Sequence, residues 1–410
     1  MGPLAGITVL DLSRIVAGPL CAQMLGDYGA DVIKVEKPGR GDDARAYGPP
    51  FLKSQDGTQQ GDSLYFTCYN RNKRSVAIDL STSQGQAQVL QLAARADVVV
   101  ENFKTGDLAR YGLDYESVKA VNPAIVYCSI TGYGQDGPYA QRPGYDLMFQ
   151  AEAGFMSYTG LPDNEPGGGP MKAGIPIIDM FTSMHAATAI LAAVRHKEKT
   201  GIGQFIDIAL FDVAVMLNAG MNMVWLADGK VPQRSGNASP FIVPYSVFAT
   251  KDGHVIAGVG SDAQWPRLCA ALDIKGLGED PRLASNAGRS THSAEVLSAV
   301  AAAIGALTMQ ECVNRLRAAA VPVGPVNTID RVFADPQVLH RQLVVNLPHP
   351  VAGTLPIIRN PARLSETPVE YRAPPLVGQH SEEVLASLRV QAVDAVGMAT
   401  DSGAASVAQK

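Results

Sequence analysis

The segment ITVLDLSRIVAGPLCAQMLGDYGADVIKV, residues 7–35, determines the predicted fold of this chain. Ile7 to Leu12 is an apolar run of strand length, and the residues from Ala17 to about Tyr28 favour a helix. After a short turn, Val32 to Val35 form a second apolar run of strand type. A strand, a helix and a second strand in this order make a βαβ unit, from which parallel sheets are built.

Later segments repeat this alternation. We expect a helix over Gln84 to Ala94, followed by strands over Asp97 to Asn102, Ala124 to Ile130 and Gln204 to Ala209. One apolar helix is expected from Leu210 to about Ala227. The sequence therefore predicts an α/β protein. The carboxyl ends of its strands are candidate ligand sites, as in other open α/β sheets.

The pattern changes after Gly229. Val243 to Ala249 and His254 to Val259 predict a hairpin, and helices follow within residues 265–319. These elements indicate a smaller α+β domain over residues 231–325. The large domain would comprise residues 1–230 and 326–410, with a strand pair over Leu343 to Pro361 and a terminal helix and frayed tail from Val390.

Composition argues against several classes of function. The chain has 410 residues and a net charge of −5, which does not favour a general binder of nucleic acid or anionic membranes. No uninterrupted apolar run approaches the roughly 20 residues of a membrane span, and the N-terminus lacks a secretory signal pattern. The cysteines form no CxxC pair, which predicts reduced thiols and a cytoplasmic protein. They are Cys21, Cys68, Cys128, Cys269 and Cys312.

A second informative stretch, MKAGIPIIDMFTSMHAATAILAAVRHKEKTGIG, spans residues 171–203. Pro176 suits the first turn of a helix, and Gly201 can end it after a basic last turn. Asp179 therefore begins a long, apolar helix that we expect to be buried. Two interpretations stay open on position alone: a poorly solvated carboxylate nucleophile, or a first-turn acid that only stabilises the helix terminus.

Other motifs are less specific. Ala17-Gly18-Pro19 follows the first strand without the GxGxxG of a dinucleotide site, so it is either a plain turn or a helix N-terminus aimed at an anionic or thioester ligand. The run Asn70 to Arg74 is either a solvated loop or a phosphate partner. The histidines show no metal-ligand spacing, and neither a GxSxG elbow nor a Walker loop occurs, so no metal is expected.

Several segments, taken in order, resemble the family III CoA-transferases, the CaiB/BaiF group that includes formyl-CoA transferase and carnitine CoA-transferase. They are residues 9–45 (VLDLSRIVAGPLCAQMLGDYGADVIKVEKPGRGDDAR), 70–80 (NRNKRSVAIDL), 98–113 (VVVENFKTGDLARYGL), 130–146 (ITGYGQDGPYAQRPGYD) and the Asp179 helix. The resemblance covers almost the whole chain. It is strongest to the succinyl-CoA-dependent dicarboxylate transferases, such as those for glutarate, hydroxymethylglutarate and itaconate, through GDDARAYGPPF (41–51), IVPY (242–245) and DPQVLH (335–340).

This resemblance implies a CoA-transferase that uses coenzyme A and acyl-CoA as substrates and holds no permanent cofactor. Asp179 would be the nucleophile, passing through an aspartyl–acyl anhydride and an aspartyl-CoA thioester. The implied fold is a large Rossmann-like domain and a small domain in an interlocked, intertwined homodimer. By the same resemblance, CoA would contact Val16 and Ala17 at its thioester end, Lys37, Asn102, Phe103, Lys104 and Arg110 at its nucleotide, and Arg142, Gly144, Tyr145 and Asp146 along its pantetheine arm.

The chain also departs from some members of this group. Val16 stands where formyl-CoA transferase has Gln, so formyl or oxalyl specificity is not expected. Tyr145 stands where the racemases have His, and a phenol with a pKa of about 10 moves protons poorly at neutral pH. The alternatives are an acyl-CoA racemase, a nicotinamide-dependent oxidoreductase, which the missing glycine fingerprint disfavours, and a non-catalytic CoA-ester-binding protein. A dicarboxylic acceptor would need a cation, for which the candidates are Arg45, Arg71, Arg74 and Arg234.

Overall fold

The computed structural model describes residues 1–58 and 60–388. The helix and tail predicted from Val390 lie outside these residues. The chain divides into two compact units. Unit 1 comprises Met1–Ala153, Ala173–Ala219 and the described residues from Gln342 on, and unit 2 comprises Gly154–Lys172 and Gly220–Arg341. Unit 2 is therefore wider than the small domain predicted over residues 231–325.

Strands and helices alternate through most of unit 1. The strands of the described residues are β1 (Thr8–Asp11), β2 (Asp31–Glu36), β3 (Phe51–Lys53), β4 (Gln60–Ser63), β5 (Lys73–Ala77), β6 (Val98–Glu101), β7 (Val126–Thr131), β8 (Gln204–Ala209), β9 (Tyr245–Ala249), β10 (His254–Gly258), β11 (Val323–Pro325), β12 (Val344–His349) and β13 (Gly353–Ile358). The helices are α1 (Ala17–Asp27), α2 (Leu64–Thr67), α3 (Ser83–Ala93), α4 (Tyr115–Val121), α5 (Asp146–Glu152), α6 (Phe155–Tyr158), α7 (Ile177–Thr200), α8 (Leu210–Leu217), α9 (Gly220–Asp228), α10 (Trp265–Ala271), α11 (Lys275–Gly278), α12 (Asn286–Thr291), α13 (Ser293–Gly305), α14 (Met309–Ala318), α15 (Ile329–Phe333) and α16 (Pro336–His340). Short 3₁₀ helices cover Asp43–Ala46, Leu108–Tyr111, Asp262–Gln264 and Pro281–Leu283.

Unit 1 is built on a six-stranded sheet in the order β5-β2-β1-β6-β7-β8. All neighbouring strands in it are parallel, and Val9 of β1 pairs with Val32 of β2 and Val98 of β6. With the small β3–β4 hairpin set aside, this is the 3-2-1-4-5-6 order of a doubly wound sheet, whose direction of winding reverses beside β1. The predicted α/β class with a parallel sheet is confirmed.

The two faces of this sheet hold separate apolar cores. Alternation along β6 sends Val98 and Val100 to one face and Val99 to the other. Helices α1 and α7 cover the first face, whereas α3 and α4 cover the second. Helix α7, which carries Asp179, therefore belongs to the first face.

Helix α7 is 24 residues long and, by length and composition, apolar enough to cross a membrane. The count of apolar runs did not predict a helix of this length and composition. Counting uninterrupted apolar runs missed this helix, because polar residues such as Asp179 and His185 divide the run while its mean hydropathy stays high. In unit 1, Ile178, Ala186 and Ile190 of this helix are fully buried in the core of the first face.

Unit 2 contains a three-stranded antiparallel sheet in the order β11-β10-β9, with a helical core around Trp265. The predicted hairpin is confirmed as β9 and β10, and the predicted pair near Gly353, in unit 1, is confirmed as β12 and β13. The single helix expected over 210–227 is wrong, because α8 ends at Leu217 and α9 begins at Gly220. Between them Ala219 has a φ of 45°, a left-handed conformation that interrupts helical hydrogen bonding.

A buried ion pair joins the end of α1 to the loop before β5. The carboxylate of Asp27 accepts two hydrogen bonds from Arg71, at 2.9 and 2.5 Å, and one from Asn72 at 2.8 Å. Asp27 is 3% exposed, so without its cation it would be a poorly solvated charge. Arg74 also has acidic partners, but their side chains are 43% and 65% exposed.

We expect Arg71→Met to lower the free energy of unfolding by about 3–5 kcal/mol, because it leaves Asp27 buried without a cation. The matched control, Arg74→Met, removes a more exposed pair and should cost about 1 kcal/mol or less. Denaturant unfolding of the two variants measures the difference. Equal losses would contradict the structural role assigned to Arg71.

Candidate active site

Asp179 lies in the first turn of α7, and the carboxylate of Asp146 holds that turn. One oxygen of Asp146 accepts the backbone N–H groups of Ile178 at 2.7 Å and of Asp179 at 3.1 Å. These N–H groups have no partner inside the helix, so an acidic cap stabilises the helix start. Asp146 and Asp179, both predicted site residues, are therefore adjacent.

Two further contacts fix Asp146 and the loop before it. Its second oxygen accepts Nε2 of the buried Gln150 at 2.5 Å, and Oε1 of Gln150 accepts the N–H of Ala173 at 2.8 Å. Gln150 thus links α5 to the segment that leads into α7. Gly144 packs on the ring of Phe149, where a Cβ atom would lie 2.1 Å from the nearest ring carbon. A larger residue at 144 would displace the loop that ends at Asp146.

The surroundings of Asp179 disfavour its negative charge. Burial is the main cause and the charge of Asp146 the second, and together they raise the pKa of Asp179 to about 7. The residue nevertheless keeps partial access to solvent, so a substrate can reach it. A carboxylate that is poorly solvated, yet partly ionised at neutral pH, is suited to nucleophilic attack.

The segment Val16–Ala17, at the start of α1, lies beside the first turns of α7. The Ser183 hydroxyl lies 2.7 Å from the carbonyl oxygen of Ala17 and 2.8 Å from that of Asp179. Val16 and Ala17 are buried, and Val16 makes no side-chain capping hydrogen bond to α1. The structure thus brings the two residues predicted at the thioester end next to the turn that carries Asp179.

Asn102 connects the loops that follow β1 and β6. Its side-chain oxygen accepts the N–H of Arg14 at 2.8 Å, and its side-chain nitrogen donates to the Arg14 carbonyl at 2.7 Å. The Arg14 guanidinium lies 4.9 Å from the centre of the Phe103 ring. These loops leave the sheet where its winding reverses, which is where doubly wound folds bind ligands.

Sequence reasoning missed Tyr65 and Tyr69. Burial is the main reason that the pKa of each phenol is raised, to about 12 for Tyr69, and the nearby charge of Asp179 contributes to both. The rings of Tyr65 and Tyr69 lie 5.3 Å apart, and Tyr47 lies 6.0 Å from Tyr65. These tyrosines are neutral hydrogen-bond donors at neutral pH. Their four-residue spacing was the available signal, since it places both on one side of a helical turn.

Other predicted CoA contacts lie at the surface of unit 1. Lys37 follows β2 and is exposed, Arg110 is exposed and pairs with Asp107, and the guanidinium of Arg142 lies 3.7 Å from the centre of the Tyr139 ring. Tyr145 is 72% exposed. A ligand can reach all four side chains.

Lys104 contributes to a cavity of about 410 Å³. The cavity is also lined by Tyr127, which belongs to the core of the second face, and by Glu101. Burial is the main cause that raises the pKa of Glu101 to about 7. The structure therefore associates Lys104 with the second face of the sheet, whereas Asp179 belongs to the first.

Comparison with known proteins identifies the family. Residues 4–381 match the family described as CoA-transferase family III. The chain belongs to this family.

Similar proteins extend over nearly the whole chain. The succinate–glutarate CoA-transferase of Agrobacterium fabrum is 47% identical over 387 residues, covering 94% of this chain and 96% of that protein. The human succinyl-CoA:glutarate CoA-transferase is 40% identical over 384 residues, covering 93% of this chain and 85% of that protein. The crystal structure of a CaiB/BaiF family protein from Brucella suis is 41% identical with a TM-score of 0.84, covering 94% of this chain and 99% of that one. This chain is therefore a CoA-transferase, and CoA transfer is favoured over racemisation.

In this CoA-transferase, every arginine considered for the acceptor carboxylate already has an acidic partner. The pairs are Arg45 with Glu36 and Asp62, Arg71 with Asp27, Arg74 with Asp31 and Glu383, and Arg234 with Asp163. Each guanidinium is thus neutralised within the protein. That one of them binds the acceptor carboxylate stays a prediction, and it would require that arginine to share or release its acidic partner.

Within residues 1–58 and 60–388, no group of three or more His, Cys, Asp or Glu side chains could hold a metal ion. The five cysteines are free, four of them buried and Cys68 exposed. That the enzyme needs no metal and no permanent cofactor stays a prediction.

The raised pKa of Asp179 should make this CoA-transferase less stable as the pH rises. Because the folded-state pKa of Asp179 is raised, the native state binds its proton more tightly than the unfolded chain does, and ionisation destabilises the fold as the pH rises from about 4 to about 7. Asp179→Asn removes that ionisation. We therefore expect this change to raise the Tm more at about pH 8 than at about pH 4.5.

Asp212 provides the matched control for that measurement. It is exposed and is the third residue of α8, as Asp179 is the third residue of α7. Asp212→Asn should give no pH-dependent gain in Tm. If Asp179→Asn changes the Tm equally at both pH values, the raised pKa is contradicted.

Proposed function

We propose that this CoA-transferase moves CoA from succinyl-CoA to glutarate or a similar dicarboxylic acid, with Asp179 as the nucleophile. The observation that carries the proposal is the setting of Asp179, a partly exposed residue with a pKa of about 7. Asp146 accepts its backbone N–H, and Ser183, one turn along the same helix, contacts Ala17. The choice of donor and acceptor rests on the names of the Agrobacterium and human relatives.

The proposed reaction is a series of acyl transfers. The Asp179 carboxylate attacks the carbonyl of succinyl-CoA and expels CoA thiolate, which leaves an anhydride between Asp179 and succinate. The thiolate attacks the Asp179 carbonyl, which forms an aspartyl-CoA thioester and releases succinate. The acceptor carboxylate attacks this thioester and expels the thiolate again, which forms a second anhydride. The thiolate then attacks the acceptor carbonyl, so that the new acyl-CoA leaves and the Asp179 carboxylate is restored.

The surroundings of Asp179 suit this chemistry. Each step exchanges one C–S bond for a C–O bond or the reverse, so no net proton or electron is consumed. Both the anhydrides and the thioester can be lost to water, which favours a site with restricted solvent. The first N–H groups of α1 are not used within the helix and begin beside Val16, where they could stabilise the oxyanion of each attack.

The CoA contacts complete the proposal. Lys37, Lys104, Arg110 and Arg142 would supply positive charge to the phosphates of CoA. Gly144, Tyr145 and Asp146 would border its pantetheine arm. Asn102 and Phe103 would act partly through Arg14, which they hold in place.

The proposal also includes the domain organisation and the homodimer. The chain would bind CoA in a large Rossmann-like domain, residues 1–230 and 326–410, with a small domain over 231–325, as half of an interlocked homodimer. It would act in the cytoplasm, with neither nucleic acid nor a membrane as a partner. Racemisation has weaker support, because the second acid/base group would be the exposed phenol of Tyr145.

Mass spectrometry of the enzyme with succinyl-CoA and a panel of acids tests this function. We expect glutaryl-CoA or a related dicarboxyl-CoA to form, and hydroxylamine to trap an acyl adduct at Asp179. Asp179→Ala should lower kcat by a factor of about 10³ or more. Asp212→Ala, the matched first-turn acid of α8, should leave turnover intact. Full turnover in Asp179→Ala would remove Asp179 as the nucleophile.

The pH dependence of the reaction provides an independent prediction. Since only the ionised form of Asp179 attacks, kcat/KM for succinyl-CoA should fall as the pH falls through about 7. Asp146→Asn keeps a side-chain oxygen for the two N–H groups but removes the adjacent charge, so the midpoint should move to lower pH. Burial of Asp179 should keep part of the shift in this variant, but an unchanged midpoint would contradict the contribution assigned to the Asp146 charge.

A further inference from the structure

Ile15, in the loop between β1 and α1, has a backbone φ of 72°. This left-handed conformation is an outlier for a β-branched residue, because the Cβ atom crowds the following carbonyl oxygen. Such a conformation persists only where surrounding contacts hold it, and it occurs most often at functional sites. Ile15 directly precedes Val16 and Ala17, the segment connected to Asp179 through Ser183.

A buried carboxylate holds the backbone of Ile15. The two oxygens of Asp42 lie 3.1 and 3.2 Å from the Ile15 nitrogen, and both accept its N–H. Lys34, on β2, lies 2.9 Å from Asp42, and both side chains are fully buried. Burial alone would raise the pKa of Asp42, but the Lys34 charge and the donated N–H bonds lower it overall, so the carboxylate is ionised.

The same lysine holds the loop at a second point. Its Nζ donates to the Ser13 carbonyl at 2.8 Å, and the Ser13 N–H donates to Asp11 at 2.9 Å. Side chains from several elements thus fix successive backbone groups of one loop. The contacts are Asp11 and Lys34 to Ser13, Asn102 to Arg14, Asp42 to Ile15 and Ser183 to Ala17.

We propose that Lys34 and Asp42 form a positioning pair for the transfer reaction: by holding Ile15 in its left-handed conformation, they fix the Val16–Ala17 backbone relative to Asp179. This inference rests on the proposed function. Neither charge touches a reacting atom. Their effect reaches the site through the backbone, where small displacements matter, because a misplacement of about 1 Å can cost a reaction on the order of 100-fold in rate.

A purely structural role explains less of the arrangement. Buried ion pairs contribute little net stability compared with apolar residues of similar volume. A chain selected only for stability would also favour glycine at position 15, since glycine adopts positive φ without steric cost. The combination of a costly buried pair and a strained Ile15 instead indicates a loop held in one conformation.

Paired substitutions test this role, because removing one charge alone would leave the other buried and unpaired. Lys34→Met with Asp42→Asn, the Asn pair, removes both charges but keeps an oxygen that can accept the Ile15 N–H. Lys34→Met with Asp42→Ala, the Ala pair, removes both charges and that acceptor. We expect kcat for CoA transfer to be about tenfold or more lower in the Ala pair than in the Asn pair, with a similar KM for acyl-CoA.

Ile15→Gly is the rescue. A glycine at this position adopts the left-handed conformation without the Asp42 contact, so adding Ile15→Gly should raise kcat of the Ala pair and reduce the difference between the pairs to about threefold or less. A loss of kcat that comes only from a weakened fold would not respond to this change. An unchanged difference would overturn the positioning role, as would equal kcat values in the two pairs.

Hydrogen exchange of the peptide covering residues 13–18 gives a readout that needs no turnover. Exchange should be faster in the Ala pair than in the Asn pair, and equal exchange would overturn the claim that Asp42 holds Ile15. If the Ala pair does not fold, the Asn pair should still exchange faster than the wild-type enzyme in this peptide, because a neutral amide accepts the Ile15 N–H more weakly than the carboxylate does, and equal exchange would contradict the proposal. A wild-type enzyme that transfers CoA to no acid would instead refute the proposed function, while the exchange result still decides what holds Ile15.

Discussion

The carboxylate of Asp146 at the start of α7 is the contact on which the site depends. A first-turn acid normally gains from the helix N-terminus, which would favour the ionised form of Asp179 and make it less nucleophilic. Here Asp146 accepts the N–H groups of Ile178 and Asp179 itself and adds a second negative charge next to the first. Burial is the main cause of the raised pKa of Asp179, and this contact, which stabilises the helix, raises the pKa further. Gln150 and the close packing of Gly144 on Phe149 keep that carboxylate in place.

The sheet explains why distant segments meet at this point. Its winding reverses between β1 and β6, so the loops that follow these strands diverge and leave a crevice at the carboxyl edge. Asn102 ties the two loops together through Arg14, and Ser183 ties the first of them to α7. Asp179 is thus held on helix α7, and the Val16–Ala17 segment is held by the loop that follows β1. Both depend on hydrogen-bonded polar side chains, among them the buried Gln150 and Ser183, and satisfied networks of this kind fix one conformation.

Local pattern predicted the elements whose side chains follow a simple period. The strand ITVLDL, the hairpin around Lys251 to Gly253 and the long Asp179 helix all follow from apolar spacing and turn residues. The family resemblance favoured the nucleophilic interpretation of Asp179 and added Asp146, and the structure brings these two residues together. What sequence could not supply were contacts between residues far apart in the chain. The run Asn70 to Arg74 does not indicate that Arg71 pairs with Asp27 or that Lys73 pairs with Asp11. The sequence around Asp42 likewise does not indicate that its carboxylate accepts the N–H of Ile15. The break at Ala219 was missed because alanine otherwise favours helix.

If Asp179 carries the acyl and CoA groups covalently, its carboxylate oxygens must exchange with those of the substrates, and this exchange can be measured directly. In each turnover one Asp179 oxygen leaves with succinate, and one oxygen of the acceptor carboxylate remains on Asp179. Turnover of the wild-type enzyme with succinyl-CoA and glutarate labelled with ¹⁸O in its carboxylates, followed by peptide mass spectrometry, should place the label on Asp179. Formation of glutaryl-CoA with an unlabelled Asp179 would contradict the account, since the acceptor would then have reacted without passing through this residue.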